Sequence, residues 1–153
     1  MDYEKKIREF GLVIPPPPQP AGSYQPVVFC GNLAFLSGQI SKTAEGRILS
    51  GKVGKDLTLE EGKAAARAAA LNALSAIHHG IGFLKFERIL RVVGYVQTAP
   101  DFHEISAVVN GASDFFLEVF GPCGVHARSA VGMAGLPLNA AVEIELTVAI
   151  KSA

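Results

Sequence analysis

The sequence predicts an α+β domain, a single sheet with both long helices packed on one of its faces. Three observations carry that prediction. The 153 residues are one domain's worth of chain. Two long stretches follow the helical period, each behind a helix-start signal, and a run with apolar residues on both faces separates them. Short strand-like runs flank both, giving the order ββ(β)αβαββ, in which one sheet backed by helices buries every apolar face.

Taken in order, Tyr3, Ile7 and Phe10 recur at i, i+4 and i+7 behind the candidate cap Asp2 and predict a short helix closed by Gly11. Pro15, Pro16, Pro17 and Pro18 predict an extended polyproline segment, read as a stiff connector rather than as a ligand for a proline-binding module. Residues 1–21 are thus a helix and connector, and 22–153 the domain proper. Runs at 27–29 and 33–36 flank Gly31-Asn32, a hairpin turn in which both residues tolerate positive φ. Thr58-Leu59-Glu60-Glu61 spells a capping box. The helix behind it reaches His79 and stops at Gly80, with Ala65, Ala69, Ala73 and Ala76 along one side for a close approach to the sheet. Residues 88–98 read as a central strand. Asp101 and Glu104 predict a second capping box ahead of Ile105, Val108, Val109, Ala112, Phe115, Phe116, Val119 and Phe120. Asn110-Gly111 is read as a break in that helix and Gly121-Pro122 as its end. Residues 127–133 and 141–151 are read as paired strands; in the second, Val142, Ile144, Leu146, Val148 and Ile150 alternate with Glu143, Glu145 and Thr147.

Composition excludes several function classes. Fourteen basic residues balance 14 acidic ones, so there is no basic footprint for nucleic acid. The longest stretch free of Asp, Glu, Lys and Arg, residues 10–41, is interrupted by prolines and cannot form a spanning helix. Early charge and no apolar core at the N-terminus predict a cytoplasmic protein, with Cys30 and Cys123 as free, buried structural thiols. Apolar residues are in surplus: with glycine counted they reach about 57% against the usual 45–50%, while charged residues are 18%. That is more than one small core needs.

Residues 46–52 match the first seven positions of a phosphate-binding loop. The eighth is Val53, which has no hydroxyl for Mg²⁺, and the helix starts near Leu59 rather than at once. His78 and His79 are neighbours on a helix and do not face one metal. No set of His, Cys or carboxylates has metal-ligand spacing, so neither metal nor cofactor is expected.

The C-terminal strands hold the candidate chemistry. His126 and Arg128 share one strand face, and Glu143 and Glu145 share a face of the expected hairpin partner. Arg128 is the only Lys, Arg, Asp or Glu between Glu118 and Glu143. A guanidinium in such apolar surroundings requires a carboxylate, either a glutamate in an ion pair across the strands or a ligand.

The segments Gly22-Ser23-Tyr24, Leu36-Ser37-Gly38-Gln39, Asn110, Ala127-Arg128-Ser129-Ala130-Val131, Leu136-Pro137 and Val142-Glu143-Ile144-Glu145 fall in the order found in the Rid family of reactive enamine/imine deaminases, also called YjgF. The chain resembles that family from residue 22 to its end. The resemblance implies a chorismate-mutase-like subunit with a six-stranded mixed sheet and two helices on one face. It also implies a homotrimer whose sheets form a barrel, with sites between subunits. It implies hydrolysis of 2-imino or 2-enamino acids to 2-keto acids and ammonia without a cofactor. By the same resemblance Arg128 holds the substrate carboxylate, Glu143 activates water, and Tyr24, Ser37, Asn110, Ser129 and Ala130 line the pocket; it assigns no role to Glu145 or His126. A trimeric, non-catalytic binding protein for keto or carboxylic acids is the alternative. Ribonuclease activity, a name attached to parts of the family, is disfavoured by the neutral charge. The chain departs from the best-known branch in having Ala130 where cysteine is frequent, extra residues between Phe102 and Asn110, and the N-terminal helix with its prolines.

Overall fold

The computed structural model describes residues 2–17 and 19–152, so Pro18 of the expected polyproline run lies outside the described residues. The elements are α1 (Tyr3–Glu9), β1 (Val27–Cys30), β2 (Leu33–Ile40), α2 (Leu59–Gly80), β3 (Phe86–Gln97), α3 (Ile105–Phe120), β4 (Ala127–Met133) and β5 (Val142–Ile150). The five strands form one mixed sheet in the order β1-β2-β5-β3-β4, with β3 and β4 parallel and the other pairs antiparallel. No helix among the described residues is long and apolar enough to cross a membrane.

The local signals produce the elements they predict. Asp2 accepts from the Lys5 amide and caps α1. Tyr3 and Ile7 are buried, and the Tyr3 ring meets Phe86 and Phe120 edge-on at centroid distances of 5.9 and 5.0 Å. Thr58 and Glu61 make the reciprocal bonds of the capping box at the head of α2. Ala65, Ala69, Ala73 and Ala76 are all buried. Along β5, Val142, Ile144, Leu146 and Val148 enter the core while Glu143, Glu145 and Thr147 face the other way.

Five expectations are corrected and one, the Gly31-Asn32 hairpin, is borne out and sharpened. The sheet has five strands, not six: residues 42–53 contribute only isolated bridges, Lys42 to Ile48 and Ser50 to Ala140 among them, because Gly46 and Gly51 at positive φ turn the chain before a ladder can run. The last two strands are not a hairpin, since β3 lies between them. Glu104 makes no side-chain cap on α3; residues 99–102 close a turn instead, with Phe102 seated against Gly54. Asn110-Gly111 does not break α3, which runs unbroken from Ile105 to Phe120. Gly111 is instead where α3 crosses α2, and a Cβ there would overlap the Lys63 carbonyl. At the β1–β2 turn only Gly31 has positive φ, as the first central position of a type II′ turn requires. Cys30 is exposed at the end of edge strand β1 and Cys123 is half-buried beside Tyr3, where burial, aided by the thiol, pushes the Tyr3 hydroxyl up to about 12.

Candidate active site

The residues singled out above fall into two groups. In β-pairing, directly opposed residues share a face. Arg128 opposes Val92, which opposes Leu146, both buried under the helices, so Arg128 lies on the helix face at the sheet edge. Glu143 opposes Tyr95 on the open face. Two strand spacings and three residues of stagger place their Cα atoms about 14 Å apart. Within one chain the expected ion pair does not form, and among the described residues no salt bridge includes either side chain.

The first group is built by α3. Arg128 Nη1 donates to Asn110 Oδ1 at 2.8 Å and to Ser113 Oγ at 3.1 Å, and Nη2 donates to the Ser106 carbonyl at 3.3 Å. A guanidinium has five N–H groups. Three are taken, which leaves the Nε hydrogen and one on Nη2. His126 belongs to this group. Its Nδ1 lies 2.6 Å from the Gly124 carbonyl, which can only accept, so Nδ1 carries the proton; Nε2 then accepts from Ser113 Oγ at 3.0 Å. Burial, with the charge of Arg128 adding, holds His126 below the usual imidazole range and favours this neutral form. The donors therefore run in one direction, from Arg128 to Ser113 to His126 to Gly124. Ala130 shares the Arg128 face, whereas Ser129 opposes Val93 and lies on the open face.

The second group surrounds Glu143. Tyr24, Ser37 and Glu143 line one cleft of about 1150 Å³. Ser37 Oγ donates to the Gln25 carbonyl at 2.7 Å, tying the chain before β1 to the irregularity between Leu36 and Gln39 in β2. Gly38 sits in that irregularity, and a Cβ there would overlap the Glu143 carboxylate, so glycine makes room for the acid. Burial first, and then Glu145, raises the Glu143 pKa above the ordinary carboxylate range. Tyr95 Oη donates to Glu145 at 3.2 Å, so Glu145 is engaged within the sheet face.

Three features escape the sequence reading. Ser106 and Ser113 stand at i−4 and i+3 from Asn110, a polar stripe on an otherwise apolar helix that periodicity could have revealed. The third, the cleft wall supplied by the proline connector, has no local signal because it is made by docking onto α2.

Residues 4–149 match the family model described as "YjgF/chorismate_mutase-like, putative endoribonuclease". Protein TCP17 of Trypanosoma cruzi is 40% identical over 148 residues, 95% of this chain and 92% of its own length. The 2-iminobutanoate/2-iminopropanoate deaminase of Dermatophagoides farinae is 33% identical over 135 residues, 88% of this chain and 91% of its own. A crystal structure of a Shewanella oneidensis protein with the same endoribonuclease name superposes with a TM-score of 0.92 at 31% identity, covering 96% of this chain and 98% of that one. A family match over nearly the whole chain, carried by relatives above 30% identity, means that this protein belongs to the YjgF/RidA family.

Proposed function

We propose that this protein is a cofactor-free deaminase that hydrolyses 2-imino and 2-enamino acids to 2-keto acids and ammonia. The observation that carries the reading is Arg128: three acceptors on α3 fix its guanidinium and leave two N–H groups for a carboxylate. In the reaction, Arg128 holds the substrate carboxylate and Glu143 takes a proton from water. That water adds to the C=N carbon, giving a carbinolamine. The proton passes to nitrogen, the C–N bond breaks, and ammonia leaves with a keto acid behind. A raised pKa suits Glu143 to this work, because a stronger base removes the proton more readily. Tyr24, Ser37 and Asn110 border the two halves, with Ser129 and Ala130 beside Arg128 in the chain. The deaminase name of the Dermatophagoides relative supports the same chemistry.

Arg128 and Glu143 stand on opposite faces of one chain's sheet, so a shared site requires a second copy. A homotrimer with sites between subunits meets that need. The exposed apolar residues on the open face, Val28, Phe35 and Val131, support it as the interface and account for the apolar surplus. The mass in solution is then about 48 kDa, three times 16.1 kDa.

Imines released by an amino-acid oxidase provide the test. The protein accelerates their decay and Arg128→Ala, compared as the same assembly, does not. Unchanged decay with the wild type, or equal acceleration by the variant, overturns the reading. Because Arg128 is held without help from Glu143, a carboxylate-binding role is the second reading. A keto acid that raises the Tm through Arg128 without any imine turnover would establish that one instead.

A further inference from the structure

The cleft around Glu143 is far larger than a small imino acid requires, and its construction shows how one side is built. In one chain, before a second copy brings Arg128 to it, the cleft measures about 1150 Å³, above the roughly 300 to 1,000 Å³ of sites that take drug-sized ligands. One wall is the proline connector: Pro15, Pro16, Pro17 and Pro20 line the cleft. Prolines offer no N–H, and the carbonyls of Pro15 and Pro16 are already occupied. Ser75 Oγ, on α2 and 1% exposed, lies 2.8 Å from the first and 3.0 Å from the second, and His79 Nε2 is 3.2 Å from Pro15 O. On the same helix face, Asn72 Nδ2 donates to the carbonyls of Ile40 and Lys42 at 3.1 and 2.8 Å, which fixes the facing wall at the end of β2. Asn72 and Ser75 thus commit buried polar groups to holding the two walls, and the exposed His79 adds a bond to the first.

Leu138 completes the rim. It is 74% exposed, lines the cleft, and has a left-handed backbone with φ 55 and ψ 26, a conformation that costs a leucine energy and is retained where surroundings enforce it. Here Asn139 enforces it: its Oδ1 accepts from Gln97 Nε2 at 2.7 Å, and its carbonyl accepts from the Gly51 amide at 2.9 Å.

We propose that the N-terminal arm and Leu138 form the side-chain pocket of this cleft and select 2-imino acids with large apolar side chains, of leucine or phenylalanine size, over the alanine-derived imine. The proposal rests on the deaminase reading and names its substrate class. Each methylene moved from water into the pocket favours binding about fourfold, the equivalent of about 0.8 kcal/mol. The three further carbons of a leucine side chain therefore predict a kcat/KM more than tenfold that of the alanine imine.

The experiment measures kcat/KM for imines released from alanine, leucine and phenylalanine by an amino-acid oxidase, using the full chain. The expected ratio of leucine to alanine exceeds ten. Ser75→Ala, which undocks the connector, and Leu138→Gly, which removes the rim and suits the positive φ, both bring the ratio towards one while alanine-imine turnover persists. A wild-type ratio at or below one overturns the proposal and leaves the deaminase reading standing. So does a ratio that neither variant changes. No turnover of any imine overturns the deaminase reading and the proposal with it.

Discussion

Replacing Gly111 by alanine tests how the two long helices are held together and, through them, how Arg128 is held. The added methyl would overlap the Lys63 carbonyl oxygen and lie 2.8 Å from its carbon and 3.0 Å from its Cα. Ordinary carbon contacts are about 3.5 to 4.0 Å, so α3 must move off α2 by about 1 Å. The obstacle is backbone, which cannot swing away as a side chain can. Overpacking of this kind costs about 1 to 3 kcal/mol, and a backbone obstacle places it at the upper end. Alanine returns about 1 kcal/mol through its better helix propensity. The net is a loss of about 2 kcal/mol, which for a chain of this length lowers the Tm by about 4 to 8 °C. Because α3 carries Asn110 and Ser113, bonded to Arg128 at 2.8 and 3.1 Å, the same displacement loosens the guanidinium and lowers kcat/KM. Thermal unfolding followed by circular dichroism reads the first effect and the oxidase-coupled assay the second. A Tm equal to or above that of the wild type would refute the reasoning, since it would mean that helix propensity outweighs the contact and that the α2–α3 spacing is not set at Gly111.

Ser113→Ala removes one acceptor from Arg128 and breaks its link to His126; with a bond to a charged group lost, KM for the imine rises about tenfold and kcat is unchanged, because the carboxylate is gripped equally in ground and transition states. A fall in kcat at constant KM would show that Ser113 acts elsewhere. Glu143→Gln abolishes turnover yet raises the Tm at neutral pH: the folded pKa of Glu143 lies above the unfolded 4.5, so the wild type loses stability as pH rises from that value through the folded one. The gap between variant and wild type closes below pH 4.5, and a gap that persisted in acid would refute that origin. Thr58→Ala costs about 1 kcal/mol through the lost cap. Its Tm deficit is full above pH 4.5 and shrinks in part as acid protonates Glu61, whose folded pKa is lowered by its bonds to the Thr58 backbone, which the variant keeps, and to the Thr58 hydroxyl, which it loses; a deficit constant down to pH 2 would contradict the bond between that hydroxyl and the Glu61 carboxylate.

Features that depend on neighbours along the chain are legible in the residues alone. Thr58 and Glu61 are three residues apart and meet in any helix that begins there. The alternation from Val142 to Ile150 fixes which side chains of β5 share a face, whatever the partner strand. The ordered set of short motifs, Arg128 and Glu143 included, was enough to bring the family into view. The features that emerge only on folding are non-local. Periodicity says nothing of strand order, so only the fold could insert β3 between β4 and β5 and send Arg128 and Glu143 to opposite faces. The letters Asn-Gly read as a helix break, because the close approach of Lys63, 48 positions earlier in the chain, leaves no trace beside them. The prolines read as a spacer for the same reason. They become a cleft wall only when Ser75, 60 residues away, bonds their carbonyls. Local rules fix which groups an element presents, whereas what those groups meet is set by segments that the chain brings together only when it folds.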